Sequence, residues 1–290
     1  MAKQFSYRQG GHDVSVWAET EEETVEEAKD ELADRDFDLD EDEIRDNIRV
    51  IPSPRRIKSS AEDVLMDKRR RGGMEAAEVV EDGMDVGLGT GSTTAWAIAK
   101  IGWKIDEGTL TNVRGVATSL QSHELAKEVG IPLINVDEVT ELDVAIDGAD
   151  QWDPENPHVV KGGGASHARE KLIDSMAEKL VIATDDQKRS TPLSYPVPLS
   201  ILPESREVVK EWIREQGGDP SVRYAEKKDG PLFTANGNLI VDCDFGDIEN
   251  PEERATELAR IPGAQEHGLF VNMVDEVVYG TDDDVKTVRF

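Results

Sequence analysis

A chain of 290 residues has room for one large or two medium domains, and its 62 Asp and Glu against 33 Lys and Arg give a formal net charge of −29. Such a charge repels nucleic acid and anionic membrane, so neither is an expected partner. The single cysteine, Cys243, excludes an intrachain disulfide and a cysteine-based zinc cluster. No apolar run approaches the ~20 residues needed to span a bilayer. The opening "MAKQFSYRQGGHD" lacks the apolar stretch of a signal peptide, which makes the cytoplasm the expected location. The apolar segments are too regular for general disorder, and the excess acid reads as a surface adapted to high salt, where screening weakens self-repulsion.

Residues 1–55 stand apart as a small acidic unit with 17 acidic and 7 basic residues. "FSYRQGGHDVSVWAE" reads as two strands about a Gly10-Gly11 turn. "TEEETVEEAKDELADRD" reads as a helix capped by Thr20, with Glu23 three residues on and a thin stripe of Val25, Ala28 and Leu32. "EDEIRDNIRVI" closes the unit and "PSPRRIKSS" is a linker.

From residue 60 to 290 helices and strands alternate. "AEDVLMDKRRRGGMEAAEVVEDG" has a helical pattern weakened in the middle by Gly72-Gly73, "MDVGL" is a strand, "GTGST" a glycine loop and "TAWAIAKIG" a helix. "VRGVATS" and "IPLINV" read as strands around the helix "SHELAKEVG", and "ELDVAIDGAD" as a further strand. After "VVKGGG" come the helix "ASHAREKLIDSMAEK" and the strand "LVIATDD". This order predicts an α/β fold: an open, mostly parallel sheet with helices on both faces. Beyond it, "VPLSILP", "SREVVKEWIREQGG", "SVRYA", "LFTANGNLIVDCDF", "PEERATELARIPG" and "LFVNMVDEVVYGT" suggest β-α-β-β-α-β, a ferredoxin-like α+β subdomain inserted over about 198–265.

In such a sheet ligands sit beyond the carboxyl ends of the strands, where three loops converge: Gly87–Thr93, Asp147–Asp150 and Lys161–Gly164. "VGLGTGSTTAW" turns a strand into a helix N-terminus that can take an anion, with Ser92 and Thr93 adding hydroxyls. It fits neither the dinucleotide nor the Walker pattern, so phosphate binding and a purely structural turn both stay open. Asp147 and Asp150, taken alone, read as ordinary Asx-turn chemistry; the functional alternative is contact with sugar hydroxyls or a proton relay. Gly162–Gly164 can form an anion nest beside Lys161. Glu170, a turn and a half into the next helix, can face that loop as a general base or pair in solvent with Arg169 or Lys171. Lys188 is either a further phosphate ligand or a solvated turn residue. His167 reads as an exposed helical histidine, and the five histidines lack metal-site spacing. "KRRRGG", residues 68–73, is either a lid reaching phosphate or a solvated helix.

Taken in order, "GLGTGST", "AIDGAD", "KGGGASHAREK", "TDDQK", "PVPLSILP", "TANGN" and "HGLF" resemble the type A ribose-5-phosphate isomerase family across about residues 60–290. The resemblance implies interconversion of ribose 5-phosphate and ribulose 5-phosphate in the pentose phosphate pathway, through an enediolate and without a metal or other cofactor. It implies that Glu170 moves the proton between carbons 2 and 1, and that Lys161 with Gly162, Gly163 and Gly164 stabilises the oxyanion. Asp147 would assist ring opening and shuttle hydroxyl protons, with Gly148, Ala149 and Asp150 in the same substrate loop. Thr90, Gly91, Ser92, Thr93 and Lys188 match substrate and phosphate contacts. A homodimer or homotetramer is implied as well. Ser166-His167 departs from the small or apolar residues usual there. The first 55 residues resemble a small αβ domain of unknown function, without its typical cysteines. Two rivals stand beside this reading: an amino-sugar phosphate deaminase, for which no loop histidine is well placed, and a non-catalytic sugar-phosphate sensor, which would not need Glu170.

Overall fold

The computed structural model describes residues 3–9, 12–18, 29, 48–51 and 60–290. At the N-terminus β1 (Lys3–Gln9) pairs antiparallel with β2 (His12–Ala18) and with β3 (Ile48–Ile51). The two expected strands therefore flank positions 10 and 11. The helix expected over 20–36 lies, apart from Lys29, outside the described residues.

Next come α1 (Ser60–Ala76), β4 (Asp85–Leu88), α2 (Ser92–Asp106), β5 (Arg114–Ala117), α3 (Leu120–Glu128) and β6 (Val144–Asp147). Two short strands, β7 (Gln151–Trp152) and β8 (Val159–Val160), precede α4 (His167–Asp174) and β9 (Leu180–Asp185). The chain continues through β10 (Val197–Ile201), α5 (Arg206–Glu215), β11 (Asp219–Val222), β12 (Leu239–Asp244), α6 (Pro251–Ala259) and β13 (Ala264–His267). It ends with β14 (Leu269–Phe270), β15 (Glu276–Gly280) and β16 (Val285–Arg289).

The main sheet runs β16-β15-β9-β6-β4-β5, parallel throughout except for β16. Every residue of β6 and β9 is buried, because both faces of the sheet are covered. Successive side chains alternate between them. Val144, Ile146, Val181 and Ala183 pack under Ala97, Ile98 and Ile101 of α2. Ala145, Leu180 and Ile182 pack with Trp152 and Phe270 on the other side.

Gly72-Gly73 does not interrupt α1. A Cβ on Gly72 would lie 2.5 Å from the Thr184 carbonyl oxygen, and one on Gly73 2.2 Å from that of Thr93. The pair lets the helix lie directly on the ends of β9 and α2, and close packing outweighs the glycine penalty.

A second sheet, β11-β12-β10-β13, is antiparallel at every pairing, with β-α-β-β-α-β connectivity and the ferredoxin-like strand order. Val209 and Ile213 of α5 and Leu258 of α6 seal it over Leu199, Ile201 and Val241. Its last strand is Ala264–His267 and not the "LFVNMVDEVVYGT" expected from the sequence. That segment divides at Asn272, which takes φ 54°, so Leu269–Phe270 pairs with β8 while Glu276–Gly280 joins the main sheet. "IPLINV" is not a strand either. Only Leu133 bridges to Gly115, and the Asn135 amide then donates to Glu138 Oε2 at 2.8 Å, turning the chain into a short 3₁₀ helix.

From β4 the chain moves outward to β5, then returns to β6 on the other side of β4. This reversal opens a crevice beyond the carboxyl ends of β4 and β6, the favoured ligand position in an open α/β sheet.

Candidate active site

A cavity of about 1200 Å³ occupies that crevice. Thr90, Gly91, Ser92 and Thr93 from the β4–α2 turn, Gly148, Ala149 and Asp150 after β6, and Lys161 to Gly164 after β8 all line it. Glu170 of α4 and Lys188 after β9 complete this part of the wall. Of the catalytic and substrate-binding residues expected from the resemblance, Asp147 alone does not reach the wall; it lies one layer beneath, fully buried.

Asp147 ends β6 and ties the loops together. Its Oδ1 accepts from the Thr90 amide at 3.0 Å and the Gly148 amide at 2.6 Å. Its Oδ2 lies 2.9 Å from Lys161 Nζ. The β4–α2 turn passes so near that a Cβ on Gly89 would sit 2.2 Å from Asp147 Oδ1, which explains the glycine there. Asp150 reaches the third loop, its Oδ2 accepting from the Gly163 amide at 2.6 Å.

Lys161 is 2 % exposed and donates to the Gly148 carbonyl at 2.5 Å, with Glu170 Oε2 3.5 Å from its Nζ. Burial disfavours its charge, but Asp147, Glu170 and Asp174 outweigh that and hold the ammonium protonated. Glu170 is 3 % exposed, and its Oε2 accepts no hydrogen bond from the described residues. Burial raises its pKa to about 8, against the pull of Lys161 and with help from Asp147 and Asp150. A desolvated, unbonded carboxyl beside an ammonium on a cavity wall has the makings of a general base. It does not pair in solvent with Arg169 or Lys171. Arg169 donates to the Ala117 carbonyl at 3.0 Å, and Lys171 is held by Glu266 at 2.6 Å.

The N-terminus of α2 also opens on the cavity, which Ser92 and the buried Thr93 line. Lys188 donates to the Ala149 carbonyl at 2.6 Å, and burial lowers its pKa. The basic run 68–71 is neither a lid nor a solvated face. Lys68 is buried between Asp186, at 2.9 Å, and Asp282, at 2.8 Å, while Arg71 binds the Asp282 carbonyl at 2.8 Å. Arg69 reaches the β4–α2 turn, donating to Ser92 Oγ at 3.2 Å beside Asp185.

His167 is 1 % exposed rather than on the surface, because α4 packs against β13 and its Nε2 meets the Glu266 carbonyl at 3.2 Å. Burial lowers its pKa to about 4, so the ring is neutral. Three residues important to the site carry no local signal. Arg223 holds the glycine loop from the second sheet, Asp174 lies buried one turn beyond Glu170, and Thr118 Oγ1 bonds Thr90 Oγ1 at 2.7 Å. Arg223 and Thr118 meet the glycine loop and Thr90 across 61 and 28 residues, and Asp174 has no hydrogen-bond partner among the described residues, so only the fold reveals them.

Residues 114–284 match the sequence profile of Ribose 5-phosphate isomerase A (phosphoriboisomerase A). The chain is 51% identical over 221 residues to the ribose-5-phosphate isomerase A of Haloarcula marismortui, covering 76% of this chain and 94% of that one. It is 50% identical over 218 residues to that of Natronomonas pharaonis, covering 75% and 95%. Among solved structures, ribose 5-phosphate isomerase A from Methanocaldococcus jannaschii superposes with a TM-score of 0.74 at 38% identity, over 80% of this chain and 100% of that one. A D-ribose-5-phosphate isomerase in complex with phospho-erythronic acid gives 0.76 at 37% identity, over 78% and 99%. Half of the aligned residues are shared with relatives matched over almost their entire length, and the fold is shared with a solved member over 80% of this chain; the chain belongs to the ribose 5-phosphate isomerase A family.

Proposed function

We propose that this protein interconverts ribose 5-phosphate and ribulose 5-phosphate through an enediolate, with Glu170 as the base that carries the proton between carbons 2 and 1. The observation behind this is the Glu170 carboxyl itself: buried, unbonded at Oε2, on the cavity wall and 3.5 Å from Lys161 Nζ. Its raised pKa keeps it basic enough to take a proton from carbon and acidic enough to return it. As that proton leaves carbon 2, charge builds on the neighbouring oxygen, and Lys161 with the Gly162 and Gly164 amides is the donor set at hand, the Gly163 amide being taken by Asp150.

At the other end, the α2 N-terminus with Thr90 to Thr93 takes the phosphate, and Lys188 adds a cation. Asp150, on the wall, is the carboxylate that meets the sugar hydroxyls. Asp147 is sealed beneath Lys161, so its nearest task is to keep that ammonium charged and aimed, and ring opening by Asp147 requires the wall above it to part. The support for a sugar phosphate ligand is the family, one member of which is described in complex with phospho-erythronic acid.

The wider setting belongs to the same reading: a place in the pentose phosphate pathway, a cytoplasmic location, assembly as a homodimer or homotetramer, and a surface suited to high salt. The last accords with a charge of −29 and with relatives from Haloarcula and Natronomonas. The test is an assay of ribose 5-phosphate with the purified chain in molar KCl plus EDTA. Conversion to the ketose is expected, undiminished by the chelator; a folded protein that leaves the aldose unchanged would overturn the proposal.

A further inference from the structure

Arg223 follows β11 and reaches out of the second sheet to the loop that carries Lys161. Its guanidinium meets Asp242 of β12 through two bonds, Nε to Oδ2 at 2.8 Å and Nη2 to Oδ1. A two-point contact of this kind fixes the plane of the group. The remaining nitrogen, Nη1, donates to two carbonyls at once, Gly162 at 2.8 Å and Gly163 at 3.2 Å. The backbone on either side is also held: the Arg223 amide donates to Ile240 O and its carbonyl accepts from Leu232 N, each at 2.9 Å.

The loop depends on such contacts, since three successive glycines have no side chains to hold them. Asp150 takes the Gly163 amide at 2.6 Å, and the Ala165 amide closes back on Gly162 O at 3.0 Å. In a planar trans peptide the carbonyl and the following N–H point in opposite directions. A Gly163 carbonyl turned to Arg223 therefore sends the Gly164 N–H the other way, and both glycines line the cavity while Arg223 does not.

We propose that Arg223 is a positioning residue for the isomerisation: strapped to Asp242, it holds the Gly162 and Gly163 carbonyls so that the Gly164 amide faces the oxygen that gains charge beside Lys161. This makes the second sheet a working part of the site, and it rests on the reading of the 162–164 loop as oxyanion-binding. The guanidinium acts by geometry more than by charge. A lysine at 223 keeps the charge but cannot meet Asp242 at two points and reach both carbonyls as well.

The experiment compares Arg223→Ala, Arg223→Lys and Asp242→Asn by melting temperature and by kcat and KM for ribose 5-phosphate. All three variants should stay folded, with kcat down about 10- to 100-fold and KM moved less than about threefold, since a misplaced donor weakens the transition state more than the ground state. Arg223 is 18 % exposed at its side chain, so millimolar guanidinium should enter the slot left by Arg223→Ala and recover part of kcat while leaving wild type unchanged. Should the alanine variant not fold, the same kcat-against-KM split in Arg223→Lys and Asp242→Asn decides. A folded variant with kcat within about twofold of wild type, a loss carried by KM alone, or a folded Arg223→Ala that guanidinium does not restore overturns the proposal. A wild-type protein inert toward ribose 5-phosphate would overturn the reading beneath it instead.

Discussion

Asp147, Glu170 and Asp174 all act on one buried ammonium, Lys161, and three carboxyls cannot all stay ionised around a single cation out of water. Asp147 accepts from two backbone amides and makes the closest approach to the amine, while burial raises Glu170 and Asp174 against the pull of Lys161. Asp174 shows this most clearly. It is 3 % exposed, neither oxygen has a hydrogen-bond donor among the described residues, and burial raises its pKa well above 3.8, with Asp147 and Glu170 adding to the rise. Below its unfolded value it is protonated in both states. As pH climbs past 3.8, only the unfolded chain releases the proton, so the folded state loses stability relative to it. Asp174→Asn, which cannot ionise, should therefore gain in melting temperature over wild type, with a margin that widens from pH 4 toward neutrality. A margin that is flat or reversed across that range would show the carboxyl to be ionised and paired.

Individual elements differ in how much of their role was legible. The three strand-end loops were, because glycines, aspartates and a lysine interrupt apolar strands at "GLGTGST", "AIDGAD" and "VVKGGG", and the parallel sheet gathers strand ends on one side. "IPLINV" misled because an apolar run says nothing about whether the neighbouring strand has room for more than one bridge. His167 and Asp174 were missed since a polar residue on a helix reads as exposed until the element covering it is known. Gly72-Gly73 was misread for a related reason: local propensity counts glycine as a weakness, whereas the contact is with residues far along the chain. That contact can be tested by sign. At an open helix site Gly→Ala stabilises by about 1 kcal/mol, but at residue 73 the new methyl meets Thr93 O and the Trp96 Cβ. Gly73→Ala should instead destabilise by about 1–3 kcal/mol in urea unfolding. A more stable variant would mean that α1 stands off α2.

Over the whole molecule, the division into an isomerase body and an N-terminal unit over residues 1–55 is a proposal read from the sequence. Relatives matched over 94% and 95% of their own length cover only 76% and 75% of this chain, which leaves about a quarter for additions. Removing residues 1–55 should accordingly leave a folded protein with kcat close to that of the full chain; an insoluble or inactive product would make the acidic unit integral to the enzyme. Within the body, the β4–α2, β6 and β8 loops meet on a single cavity, and the proposed chemistry there belongs to one carboxyl, Glu170. Its most direct test is Glu170→Gln, measured for turnover of ribose 5-phosphate and, by calorimetry, for binding of the same sugar. Loss of the base should lower kcat by about 10²- to 10⁴-fold while the dissociation constant stays within about threefold; turnover near that of wild type would contradict the account.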